Sequence, residues 1–254
     1  MKLIDFAPSD LAKFCPPEFN VKNGCNTVRF GTLYDFRAEE DEKLRDEGEG
    51  TFSYSISFPE LTKVSQEWIN AFGFEGEGHF YIGELELRFG EPYVKDMVLT
   101  GSSHNCWIYC VSKSTESAGN ITDTHQDKWL IPADKIKNLA NYFASLLFSE
   151  ITIADLPVEI IEKYSIHEIQ RQLSLNVELR EVEYGERSVL ITSEEELPIS
   201  EVSYLKDSIT FLKPKIFEKE QEVRMAFWLM FGEQKISIIN KPKIVSLRPI
   251  DKIL

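Results

Sequence analysis

The sequence predicts an α+β fold, a mixed and mainly antiparallel sheet with a helical insert near the middle of the chain, at about residues 132–173. Three observations predict it. Stretches alternating apolar and polar residues occur in both halves of the chain, and two helical patterns stand together between them. No repeat, low-complexity run or proline-rich linker interrupts the 254 residues, so residues 1–254 read as a single domain whose N-terminal and C-terminal strands share a sheet.

Residues 27–33, TVRFGTL, alternate as a strand does, and seven carboxylates follow between Glu39 and Glu49. That acidic stretch reads as an exposed loop, because so many charges are costly to desolvate together. Residues 51–58, TFSYSISF, read as a second strand, and Pro59 as the start of a short helix through Trp68 to Phe72. Two β segments, HFYIGELELRF and EPYVKDMVL, then flank Gly90, and HNCWIYCVS at 104–112 adds an apolar third. Three β segments in succession favour antiparallel pairing.

Pro132 stands at a natural first helical position before ADKIKNLANYFASLLFS, where Ile136, Leu139, Tyr142, Phe143 and Leu146 recur at spacings of three and four. A second helix is expected over 157–173. Alternation returns in NVELREVEYGE with Val177, Leu179 and Val182 apolar, and strands at 221–229, 235–239 and 243–248 close the fold.

With 43% hydrophobic residues the chain can bury a large core. Its 42 acidic against 28 basic side chains give a net charge of -14, which disfavours nonspecific nucleic-acid binding. Only residues 200–254 are net positive, with 10 basic against 7 acidic groups, which suits a local anionic ligand such as a phosphate, although a solvated lysine face is the favoured reading there. The N-terminus MKLIDFAPSD lacks the apolar run of a secretory signal and no stretch suits a membrane span, so a cytoplasmic protein is expected. Cys15, Cys25, Cys106 and Cys110 are too sparse for a disulfide scaffold and read as thiols.

Several motifs fail on their chemistry. DEKLRDEGEGTF at 41–52 is no calcium loop, since Lys43 and Arg45 stand where oxygen ligands belong. Position four after His167 is Arg171, which excludes a zinc-protease pair, and Gly76, Gly78 and Gly83 miss the dinucleotide spacing. Cys106 and Cys110 lie about 13 Å apart along a strand at ~3.3 Å per residue, too far for one zinc.

One constellation survives: VRFGTLYDFR with Arg29 and Arg37, CWIYCVSKST with Tyr109 and Ser112, and FEKEQEVRMAFW with Glu220 and Glu222. In the last, Val223, Met225, Phe227 and Leu229 point one way, so Glu220, Glu222 and Arg224 point the other. An ion pair of Glu222 with Arg224, Arg29 or Arg37 is the structural reading of these residues.

The segments FGTLYDFR, YCVS, VEYGE and KPKIFEKEQEVR occur in the order seen in a family of uncharacterised bacterial proteins, a domain-of-unknown-function group that this chain resembles over roughly residues 27–228. The Asn-Asp-Pro and Met-Trp-Ser signatures of many members are missing here. The order of Arg29-Phe30-Gly31-Thr32, Tyr109 or Ser112, and Glu220-Gln221-Glu222 also resembles ADP-ribosyltransferases, although Phe30 stands where one branch has histidine. That resemblance implies NAD as substrate. It implies Glu222 with Glu220 as catalytic carboxylates, and Arg29, Arg37, Gly31, Thr32, Tyr109 and Ser112 around the dinucleotide.

The leading expectation is thus an ADP-ribosyltransferase-like bacterial enzyme, of a toxin or phage-defence kind. The alternative is a noncatalytic ligand-sensing or protein-interaction module in which the same residues are structural. A third reading makes the acidic loop 39–49 a decoy for a basic protein partner. A cleft shared by an early-strand arginine and Glu222 distinguishes the enzyme, and buried pairs or wide separation distinguish the module.

Overall fold

A computed structural model describes residues 9–39, 42, 44–113, 122 and 124–247, and the backbone of residues 2–4. In chain order the strands begin with β1 (Lys2–Ile4), β2 (Leu11–Cys15), β3 (Thr27–Thr32), β4 (Thr51–Lys63), β5 (Gly78–Arg88), β6 (Glu91–Ser102), β7 (Trp107–Ser112) and β8 (Asp127–Ile131). They continue with β9 (Leu173–Glu181), β10 (Glu183–Tyr184), β11 (Ser188–Ile191), β12 (Leu212–Lys213), β13 (Glu222–Phe231), β14 (Gln234–Ile236) and β15 (Lys243–Ser246). The α-helices are α1 (Gln66–Ala71), α2 (Ile136–Ser149), α3 (Val158–Lys163), α4 (Ile166–Gln172) and α5 (Ile199–Ser208). The fold is α+β with mainly antiparallel sheets, as the alternating patterns predict.

Two compact units form. The first comprises Met1–Glu47, Asn105–Glu183 and Ile216–Leu254, and the second Gly48–His104 and Tyr184–Lys215. The first unit holds a sheet in the order β1-β9-β13-β7-β2-β8, with β14 on β13 and β3 linking β7 to β15. Strands from both ends of the chain therefore share it. β1 runs parallel to β9, while β13 runs antiparallel to both its long neighbours, β7 and β9.

The alternation of β13 explains its place at the centre. Val223, Met225, Phe227, Leu229 and Phe231 enter an apolar core with Val177 and Leu179 of β9, Trp107, Tyr109 and Val111 of β7, and Phe30 of β3. Helix α2 supplies Ile136, Leu139, Ala140, Phe143 and Leu147 to the same core. All ten residues of β13 are buried, so its other face, which carries Glu222, Arg224, Ala226 and Trp228, is also withdrawn from water.

The second unit holds a sheet in the order β11-β4-β6-β5. Phe52, Tyr54, Ile56 and Phe58 of β4 alternate inward onto Val94, Met97 and Leu99 of β6, and onto Trp68 of α1 and Val202 of α5. Trp68 donates its indole N–H to the Leu197 carbonyl at 2.7 Å, which joins the two segments of this unit.

Two helix expectations need correction. Pro59 does not open a helix: β4 continues through it to Lys63, and an irregularity in the pairing with β6 between Ser57 and Thr62 tolerates a residue that lacks an N–H. The helix starts at Gln66, where Ser65 accepts the Trp68 N–H as cap. The helix expected over 157–173 is two short ones, because Tyr164 turns extended and Ser165 forms a fresh capping box with Glu168.

The acidic stretch is also not exposed throughout. Asp46 and Glu49 are buried while Glu42 and Glu47 face water, and Glu40, Asp41 and Lys43 lie outside the described residues. Glu49 offsets its burial with Arg187, 3.7 Å away in the same unit. All four cysteines are free thiols.

Candidate functional site

Four charged residues of β9 and β13, Glu178, Arg180, Glu222 and Arg224, share the sheet face opposite α2. Glu222 of β13 is the register partner of Ser112 of β7, and Arg224 lies between Cys110 of β7 and Arg180 of β9. Glu178 and Asn176 then oppose Ala226 and Trp228. Because side chains alternate along a strand, these residues share one face.

Each charge on that face has a named partner. Arg224 Nε donates to Glu222 Oε1 at 2.8 Å, and the two side chains are 1% and 4% exposed. Arg180 pairs with Glu183, and the Trp228 indole donates to Glu178 Oε2 at 3.1 Å. Two arginines directly opposite one another would repel. A carboxylate on each side, Glu222 for Arg224 and Glu183 for Arg180, compensates that repulsion.

The segment leading into β13 is strained. Gln221 has φ 43°, a left-handed conformation that a non-glycine residue adopts at a cost, and its carbonyl accepts the Lys113 N–H at 2.9 Å. This kink separates Glu220, buried at the end of the preceding 3-10 turn, from Glu222 on the sheet.

The residues expected around a dinucleotide divide into groups. Ser112 and Glu222 come together on adjacent strands. Tyr109 is on the opposite face, packed against Phe30 and Phe143 with ring centroids 5.9 and 4.9 Å away, and burial pushes its phenol well above the ordinary tyrosine range. Tyr109 and Ser112 are three residues apart on one strand, so they cannot line one pocket.

The early strand is committed locally. Arg29 is half exposed and pairs with Asp35 at 2.5 Å, while the Arg37 guanidinium stacks 3.6 Å from the Tyr34 ring centroid. Thr32 accepts the Asp35 N–H at 3.0 Å and donates to Asn240, which fixes the turn that follows β3. Gly31 is small because a Cβ there would stand 3.3 Å from the Phe36 ring.

Glu178 and Arg180 are charged members of this face that the sequence reading did not single out. Their signal was present in VELRE, whose polar positions alternate with Val177 and Leu179 as Glu222 and Arg224 alternate with Val223 and Met225. Among the described residues no group of three or more His, Cys, Asp or Glu could hold a metal ion, and no helix is long and apolar enough to cross a membrane.

A different surface stands out in the second unit. β5 is the last strand of its sheet, yet Phe80, Tyr81, Ile82 and Leu87 along it are exposed. Phe80, Ile82, Leu85 and Leu87 pair with Leu99, Met97, Val94 and Pro92, so they lie on the core face where it runs past its cover. The turn to β6 carries Phe89, fully exposed and at φ 54°, followed by Gly90 at φ 83°. No family model, no curated protein and no solved structure matches the chain.

Proposed function

We propose that the chain is a noncatalytic protein-interaction module whose contact surface is the β5–β6 hairpin. The observation that carries this reading is the edge of β5, the last strand of its sheet among the described residues, where apolar side chains are offered to solvent. Edge strands of this kind bind by adding a further strand, with main-chain hydrogen bonds supplying affinity and side-chain contacts supplying selectivity. An exposed aromatic held at positive φ at the hairpin tip is a cost to folding that a binding role explains. The closure of Glu222 onto Arg224 in a buried pair supports the same reading.

A second reading rests on one observation, the register of Glu222 with Ser112 on neighbouring strands. It makes the chain an ADP-ribosyltransferase-like enzyme of the toxin or phage-defence kind, with NAD as substrate. Glu222, with Glu220, would stabilise positive charge developing at the ribose carbon, and Ser112 would orient the nucleotide. Glu222 would first have to leave Arg224, and Tyr109 takes no part.

NAD turnover by the wild-type chain and by Glu222→Gln separates the readings. The module reading expects no turnover from either protein and a lower melting temperature for the variant. Turnover by the wild type that the variant loses at unchanged stability overturns it in favour of the enzyme.

A further inference from the structure

We infer that the strand added to β5 belongs to a second copy of this chain, paired antiparallel about a twofold axis through Glu86. The inference rests on the interaction reading above and names the partner at that surface. β5 and β6 are joined by the two-residue turn Phe89-Gly90, both at positive φ, which makes Arg88 and Glu91 the closing hydrogen-bonded pair. Pro92, opposite Leu87, turns its carbonyl away from β5 to accept the Val64 N–H at 3.1 Å. Leu87 and Leu85 therefore direct their own N–H and C=O groups to the free side of the sheet.

Those groups set the register. Two copies related about Glu86 bring Leu87 opposite the second copy's Leu85, and Leu85 opposite its Leu87, so that each outward donor meets an outward acceptor. Arg88 then faces the second copy's Glu84 in two symmetric ion pairs. Phe89 reaches the level of its Gly83, where a Cβ would stand 3.0 Å from Asp96 of β6 and glycine keeps the strand edge free of a side chain. On the core face, Leu85 and Leu87 of both copies meet and extend the apolar surface across the junction. Glu86 itself meets the second copy's Glu86, but centring on Leu85 instead would set Glu84 against Glu86 twice and leave Arg88 opposite Ile82, with no opposite-charge pair, and is disfavoured.

Charge balance favours a second copy over a basic peptide. Glu84 already has Lys95 at 3.6 Å and Glu86 has Arg88 at 2.7 Å, so this edge is not an unmatched acidic strip. Across the twofold axis Arg88 and Glu84 meet as opposite charges twice, and the one like-charge meeting, Glu86 against the second copy's Glu86, is offset on each side by Arg88 at 2.7 Å.

Sedimentation equilibrium of the full chain across a wide concentration range tests the pairing. A reversible monomer–dimer equilibrium is expected. Arg88→Glu should weaken it on the order of tenfold or more by replacing two attractions with two repulsions, and Glu84→Arg with Arg88→Glu should restore it. Leu87→Lys, at a position 70% exposed in the single chain, should abolish dimers while leaving the melting temperature of the monomer unchanged. A monomer at every concentration, or a dimer indifferent to these variants, overturns the self-pairing. Neither result touches the interaction reading, which is tested separately by NAD turnover and by whether the edge of β5 is open in the single chain.

Discussion

Replacing Glu222 by glutamine changes one oxygen for an NH2 group and removes one charge. Because Glu222 and Arg224 are almost wholly buried and bonded at 2.8 Å, the variant leaves a guanidinium out of water without its bonded anion. Breaking one side of such a pair costs about 3 kcal/mol, which in a unit of this size lowers the melting temperature by about 6–12 °C. Thermal unfolding followed by circular dichroism measures it. Replacing both residues together, Glu222→Leu with Arg224→Met, should recover most of the loss, because a buried ion pair exchanged for apolar groups is often close to neutral. A glutamine variant that melts with the wild type would refute the structural account of this pair.

Three further predictions follow from buried groups. Asp155 is buried, which alone would raise its carboxyl, yet hydrogen bonds from Lys243 and Thr152 outweigh burial and hold it below its ordinary range. Asp155→Ala should cost about 3 kcal/mol by removing the carboxylate beside Lys243, which retains the Glu150 carbonyl, and a melting shift under about 2 °C would contradict this. Burial pushes Cys15 up to about 11 and Tyr54 up to about 12, and raises Tyr109 too, so the unfolded chain loses these protons first as pH rises. Their contribution is intact below the ordinary cysteine value of 9.0 and should fall through about pH 9–12, so melting temperatures that stay level to pH 11 would count against it. Tyr54 is buried and its hydroxyl has no hydrogen-bond partner among the described residues, so Tyr54→Phe should hold or raise stability by about 1 kcal/mol, and a clear loss would reveal a partner.

Periodicity made the sheet legible. The alternation around Val223 and Met225 assigns Glu222 and Arg224 to one face, and the three- and four-residue spacing of α2 marks the helix that covers the other face. The same rule, applied to β7, would have separated Tyr109 from Ser112, but the resemblance to a known site drew them together. Local chemistry was harder to read. Pro59 looks like a helix start because proline suits that position, and only the irregular pairing with β6 shows why a strand accepts it. Nothing in 157–173 outweighs its helical spacing except Ser165 and Glu168, whose capping box divides it. Burial of Glu49 depends on Arg187, distant in sequence, and composition cannot show such a partner. β5 was recognised as a strand, but its place at a sheet edge is a property of strand order, which alternation does not encode.

Amide exchange at β5 tests the central claim most directly. In dilute solution the outward amides of Leu85 and Leu87 should exchange much faster than that of Glu86, which the hairpin geometry directs toward β6. Raising the protein concentration should slow Leu85 and Leu87 selectively as an added strand covers them. Slow exchange of both amides already in dilute solution would mean that the edge is closed within the single chain, and would contradict the account.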